Sequence, residues 1–275
     1  MRSGASGVPA LPLDHPALLH ERTLRELGPH ATRFALEVVA ECGSTNDELS
    51  LAATRTDERI AVLVALHQRA GRGRRGRAWH AGDGLTFSCA WPIAPDAPPP
   101  SALSLAAGLA VAEAIEDLGV RDVALKWPND VLVDGRKIAG ILVELVSGQR
   151  HTQRAIIGIG ANLGSVPDYP PDGGRPATAI ARHLPAAPAI ETALATILVR
   201  LAARLDAFAA GGFAAMQHDW SQRDAFAGHM VRIDGEGASR SGRCEGVDAD
   251  GALRLATASG IERILSGELS LRSAA

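Results

Sequence analysis

An Asp134-Gly135 pair stands between two β-rich runs, "VALKWPNDVLV" and "RKIAGILVELV", and constrains the fold more than any other feature of the chain. The central positions of a two-residue hairpin both need positive φ, which aspartate tolerates and glycine adopts freely. The pair therefore predicts an antiparallel hairpin. Further strands are predicted at "RFALEVVAEC", "RIAVLVALHQ", "GLTFSCAWPI" and "RAIIGIGAN".

Helices are predicted between them. One follows "GST", with Ser44 or Thr45 as its N-cap and acidic Asp47 and Glu48 in its first turn. A second covers "SALSLAAGLAVAEAIEDLG", capped by Ser101 and closed by Gly119. A third carries Ile190, Leu194, Ile197, Leu198, Leu201, Leu205 and Phe208 at helical spacing and ends in Gly-Gly. Helices and antiparallel strands alternate irregularly, so the class is α+β. From about Gly228 short alternating strands and Gly or Asp turns predict a small β-barrel of about 45 residues. The expected organisation is a loosely docked lead segment (1–33), a main domain (34–226) and the barrel (227–275).

The chain has 28 Lys and Arg against 31 Asp and Glu, a net charge of -3. That balance excludes the broad positive field of a general nucleic-acid binder. Cys42, Cys89 and Cys244 are scattered without metal-site or disulfide spacing, which points to a reducing cytoplasm. No signal peptide or membrane span is predicted.

Against this background, "QRAGRGRRGRAW" at 68–79 places five arginines and three glycines in nine positions. Gly71-x-Gly73-x-x-Gly76 satisfies the dinucleotide fingerprint formally, but no amphipathic helix follows it. An arginine-rich nucleic-acid tail is also disfavoured, because this segment lies between two strands of an acidic protein. Clustered guanidiniums repel one another unless an anion relieves them. The remaining reading is a loop that closes over a phosphate-bearing or carboxylate-bearing small molecule, with glycines admitting close backbone approach.

Together with "STN" at 44–46, "KWPND" at 126–130, "KIAGILVE" at 137–144 and "GELSLRS" at 267–273, this loop resembles the bacterial biotin protein ligases. The resemblance runs over roughly residues 34 to 273. It implies a class II synthetase-like catalytic domain, related to the lipoate ligases, followed by an SH3-like barrel. It also implies that biotin and MgATP give biotinyl-5'-AMP, and that the biotinyl group passes to a lysine of a biotin carboxyl carrier domain, as in acetyl-CoA carboxylase.

By the same resemblance Ser44, Thr45, Asn46 and Gln68 bind the ureido ring of biotin. Gly71, Arg72, Gly73 and Arg74 hold its carboxylate side, and Gly140 leaves room for the flat ring. Lys137 reaches the carboxylate and α-phosphate, with Arg72 and Lys126 as further catalytic charges. Arg75, Arg77, Trp79, Lys126, Asn129, Asn162 and Arg272 fall on the nucleotide side, and Asp130 is a candidate for Mg²⁺ or for loop ordering. Each has a plainer reading: "STN" alone is a helix N-cap, a strand-end Lys126 is a solvated lysine, and Trp79 is a hydrophobic hinge anchor.

Bifunctional members of the family carry an N-terminal winged helix-turn-helix. The residues before Phe34 lack two consecutive amphipathic helices, so a ligase that does not bind DNA is expected. A lipoate ligase and a non-catalytic biotin sensor are the alternatives. Family dimers form through catalytic-domain strands, and the sequence leaves the oligomeric state open.

Overall fold

The computed structural model describes residues 15–52, 59–79, 82–147, 153–166, 176–234 and 239–271. Seven strands form one mixed sheet: β1 (Phe34–Cys42), β2 (Ile60–Gln68), β3 (Gly84–Ile93), β4 (Val123–Lys126), β5 (Asp130–Val133), β6 (Arg136–Ser147) and β7 (Gln153–Asn162). Their order is β1-β2-β3-β7-β6-β5-β4. Only the β1–β2 pair is parallel. Asp134 and Gly135 turn β5 into β6 with φ of 51° and 69°, as the hairpin requires.

The register of that hairpin slips between the pairs Val131↔Ala139 and Leu132↔Lys137. Such a bulge re-aims a side chain and twists its strand. Here it falls at Lys137.

Helix α3 (Leu103–Asp117) packs between the sheet and α4 (Ile190–Gly211). It is buried almost all round, and its many alanines and Gly108 permit that close approach. Its N-terminus differs from expectation. The helix starts after a 3-10 turn over Pro100–Ala102, Ala102 occupies the cap position without a side-chain bond, and the Ser101 hydroxyl instead donates to Asp250 O at 3.2 Å. Helix α2 (Thr45–Ala52) begins as expected, with Ser44 O accepting Glu48 N–H.

Helix α1 (Pro16–Leu27) also departs from expectation. It buries Leu19, Thr23 and Leu27 and packs on α4 and β1, so this part of the lead segment is docked into the core. Its stripe is too short to stand out in sequence. Residues 1–14 of the lead segment lie outside the described residues.

After α5 (Gln217–Ser221), β8 (Met230–Asp234), β9 (Arg240–Val247), β10 (Leu253–Thr257), β11 (Gly260–Ile264) and β12 (Glu268–Leu271) make an antiparallel sheet ordered β11-β10-β9-β8-β12. It docks on the first unit through a shared apolar core and through polar contacts. Trp127 Nε1 donates to Gly251 O at 3.0 Å, and Gln217 Nε2 to Val247 O at 2.6 Å. Among the described residues no helix is long and apolar enough to cross a membrane.

Candidate active site

The separated motifs converge on one cavity of about 60 Å³ lined by residues of α2, β2, β3, β6, β7, the arginine loop and the β4–β5 turn. A much larger groove, about 1100 Å³, lies beside β1 and α1 but gathers few of the motif residues. Convergence, not volume, marks the site.

One end of the cavity is a buried polar relay. Gln68 Oε1 accepts from Thr45 N at 2.8 Å, the hydroxyls of Thr45 and Ser88 are 2.7 Å apart, and Ser88 Oγ donates to Asn46 Oδ1 at 2.6 Å. Ser44, Thr45 and Asn46 are almost fully buried although they are polar. The first helical bond of α2 runs from Glu48 N–H to Ser44 O, so the turn that starts the helix carries Ser44, Thr45 and Asn46 into the cavity lining.

The floor is glycine. A Cβ at Gly158 would stand 2.3 Å from Asn46 Oδ1, and one at Gly160 would stand 2.2 Å from the Trp79 ring. Glycines inside a strand mark such close approach. The Trp79 indole packs over Gly160 and reaches Gly140, the glycine expected to leave room for a ligand ring. The Lys137 ammonium lies 5.4 Å from that ring, and the indole Nε1 is buried without a hydrogen-bond partner.

The other end is cationic. Asp130 is held between Lys137 Nζ at 2.5 Å and Lys126 Nζ at 3.3 Å. Burial pushes the Asp130 carboxyl up, but Lys137 and Lys126 together hold it below its ordinary value. Lys126 is 6% exposed, so the solvated reading of this lysine is corrected: the hairpin returns Asp130 directly against it. Asp130 fits a resident Mg²⁺ poorly, since both carboxylate oxygens face ammoniums. Among the described residues no group of three or more His, Cys, Asp or Glu could hold a metal ion.

Asn129 Nδ2 donates to Ile141 O at 2.9 Å, and Asn162 Nδ2 donates to Thr178 O at 3.0 Å. Both amides thus brace the backbone around Lys137. Asn129 Oδ1 also meets Arg74 Nη1 at 3.4 Å.

The arginine loop is a tight hairpin. Gly73 N–H donates to Arg77 O, Trp79 N–H donates to Gly71 O, and Arg75 takes φ of 56°. Gly71 is required because a Cβ there would meet Trp79 O at 2.6 Å.

Each guanidinium has protein partners. Arg72 binds Asp47 at 2.6 Å and Glu144 at 2.8 Å, Arg74 donates to Gly267 O at 3.1 Å, and Arg75 donates to Asp234 O at 2.9 Å. Arg77 pairs with Glu268. Burial, then the like charge of Arg75, lower the Arg74 pKa from its ordinary value, which favours an added anion beside it. Arg272 lies outside the described residues.

Thr86, Ser88, Ile141, Leu142, Glu144, Gly158 and Gly160 join or support the site without having been singled out. The glycines carried a readable signal: "GIGANLG" places two of them two apart on one strand face.

An α+β domain with this charged, glycine-floored cavity and an appended SH3-like sheet defines a cofactor-protein ligase. Residues 42–162 match the Biotin/lipoate A/B protein ligase family, and residues 226–272 match the Biotin protein ligase C terminal domain. The biotin–[acetyl-CoA-carboxylase] ligase of Paracoccus denitrificans is 34% identical, over 84% of this chain and 98% of that protein. The Escherichia coli bifunctional ligase/repressor BirA is 34% identical over 78% of this chain, which spans 67% of that relative. The Aquifex aeolicus biotin protein ligase in complex with biotin and ATP superposes with a TM-score of 0.74 at 31% identity, covering 86% of this chain and 98% of that one. The chain belongs to the biotin protein ligase family and is an enzyme of the ligase class.

Proposed function

We propose that the protein activates biotin with MgATP to biotinyl-5'-AMP and transfers the biotinyl group to one lysine of a carboxyl carrier domain, such as that of an acetyl-CoA carboxylase. The observation that carries this reading is one cavity with a neutral hydrogen-bonding relay at one end and Lys137 and Arg74 at the other, with Asp130 and Lys126 paired behind Lys137. A bicyclic urea with a carboxylate tail has that same polarity.

In the first step a biotin carboxylate oxygen attacks the α-phosphorus. The bond to the bridging oxygen breaks and pyrophosphate leaves. Two anions at 4 Å repel by about 1 kcal/mol in water and by several times more in a drier site. Lys137, Lys126 and Arg74 offset that repulsion and the charge that develops on the phosphates. Mg²⁺ enters with the nucleotide as part of the substrate.

Thr45 N–H engages Gln68 Oε1, so Gln68 turns its amide N–H toward the ureido carbonyl. Arg75, Arg77, Asn162 and Arg272 are assigned to the nucleotide side, with Trp79 shifting to cover the adenylate. In the second step a neutral lysine Nζ attacks the acyl carbon, AMP leaves, and the nitrogen gives up a proton. A role without operator binding is part of this proposal. The cytoplasm, where carrier domain and nucleotide meet, is the assigned compartment.

The test is pyrophosphate release from MgATP with biotin or with lipoate. Biotin-dependent release is expected. Release with lipoate alone would keep the mechanism and reassign the pocket, and release with neither would favour a binding-only role.

A further inference from the structure

Glu144 lies on β6 behind the cavity and is absent from its lining, yet it contacts two residues that do line it. Its Oε2 accepts from Asn46 Nδ2 at 2.7 Å and from Arg72 Nη2 at 2.8 Å. Arg72 is pinned further by Asp47 at 2.6 Å.

The consequence for Asn46 is directional. An asparagine amide has nearly the same shape when flipped, and its hydrogen-bond partners decide which way it sits. An ionised carboxylate only accepts, so the Asn46 NH₂ must face Glu144. The oxygen is thereby turned toward Ser88, whose hydroxyl donates to it at 2.6 Å, and toward the glycine floor at Gly158. Flipping the amide would set oxygen against carboxylate.

We propose that Glu144 is a positioning residue that sets head-group specificity: by fixing the Asn46 amide it presents a carbonyl oxygen to the cavity, which favours a ligand head offering an N–H. A cyclic urea has that donor and a dithiolane does not. A site built to pair with a donor discriminates against a ligand lacking it, because the oxygen then keeps only the Ser88 hydroxyl and its second acceptor position faces the cavity unpaired. The same carboxylate anchors Arg72, so the start of the arginine loop is tied to the residue that orients the head group. This inference rests on the biotin ligase reading above.

The test exchanges donor and acceptor across the contact. Biotin-dependent ATP–pyrophosphate exchange is measured for the wild type, E144Q, N46D and N46D/E144Q, with biotin and ATP varied separately. E144Q is expected to raise the KM for biotin about tenfold, the loss of one charge-assisted hydrogen bond. The KM for ATP should stay within about twofold and kcat within about threefold, because Arg72 keeps its second anchor at Asp47 and the reacting atoms lie at the other end of the cavity.

N46D alone sets two carboxylates against each other and is expected to raise the KM for biotin further. The double variant restores a donor–acceptor pair with an oxygen still facing the cavity, so its KM for biotin should fall well below that of N46D. An unchanged biotin KM in E144Q, or a double variant as impaired as the two single changes combined, would overturn the proposal. A parallel loss in kcat and both KM values would also overturn it, by showing a general structural role. Should E144Q prove insoluble, the comparison of N46D with the double variant reads the same exchange. Absence of biotin-dependent exchange in the wild type would instead defeat the ligase reading, before any variant is compared.

Discussion

Arg77 and Glu268 meet in a two-point ion pair, Nη1 to Oε1 at 2.6 Å and Nη2 to Oε2 at 2.5 Å, joining the arginine loop to the C-terminal sheet. A protein carboxylate thus engages an arginine of the loop. Both side chains are partly exposed, so the pair stabilises the fold by about 1 kcal/mol or less. Its effect is expected on the loop. E268Q should leave the melting temperature nearly unchanged while speeding tryptic cleavage within residues 72–77, and equal cleavage rates would contradict the latch.

The same pair has a pH signature. Arg77 holds the Glu268 carboxyl below its ordinary value despite partial burial. A depressed carboxyl contributes stability that is present above the unfolded-state pKa, about 4.3, and is lost as pH falls through the lower folded value. Tryptic sites in the loop are inactive readouts at such pH, so pepsin cleavage or hydrogen exchange is the measurement. The loop is expected to stay latched from neutral pH down to the unfolded-state carboxyl pKa of about 4.3, and to open as pH falls further through the lower folded value.

Asp130 separates the ammoniums of Lys126 and Lys137. Removing its charge leaves the buried Lys126 and the half-buried Lys137 facing each other, so D130N is expected to lower both stability and adenylate formation. K137A should slow adenylate formation about a hundredfold, the scale for losing one electrostatic stabiliser of the transition state. Single-turnover pyrophosphate release measures both. An unchanged rate in K137A would assign the chemistry to Lys126 and Arg74 alone.

The Trp79 indole lies against Gly160, and the cavity left beside it is about 60 Å³. Ligand pockets generally span about 300 Å³ or more, so a bicyclic head group enters only when the indole moves. Biotin alone, without ATP, is therefore expected to change the tryptophan emission, and W79F should abolish that change. A shift that persists in W79F would place the movement at another of the four tryptophans.

Gly158 and Gly160 allow separate tests of the two ends of the floor. G158A would force Asn46 away from β7, since its Cβ falls 2.3 Å from Oδ1. Overpacking of this kind costs about 1–3 kcal/mol, and the expected result is a rise in the KM for biotin of about tenfold or more with the KM for ATP little changed. Isothermal titration of biotin checks it directly.

Much of this arrangement is legible in the sequence. The Asp134-Gly135 turn was readable because positive φ restricts residue choice, and Ser44, Thr45, Asn46, Gln68, Lys137 and Gly140 could be singled out by motif. What escaped the sequence depends on long-range placement. Glu144 and Glu268 become partners of Arg72 and Arg77 only through strands far away in the chain. Lys126 is buried where the β4–β5 turn returns Asp130 against it and the bulged β5–β6 hairpin sets Lys137 on the other carboxylate oxygen. Ser101 spends its hydroxyl on the second sheet, a contact that no local capping rule contains.

The most direct test of the central claim is the intact mass of a purified biotin carboxyl carrier domain after incubation with the enzyme, MgATP and either biotin or lipoate. One added biotinyl group on a single lysine, with none from lipoate, is the expected result. An unmodified carrier domain with biotin, or lipoyl addition in its place, would contradict it.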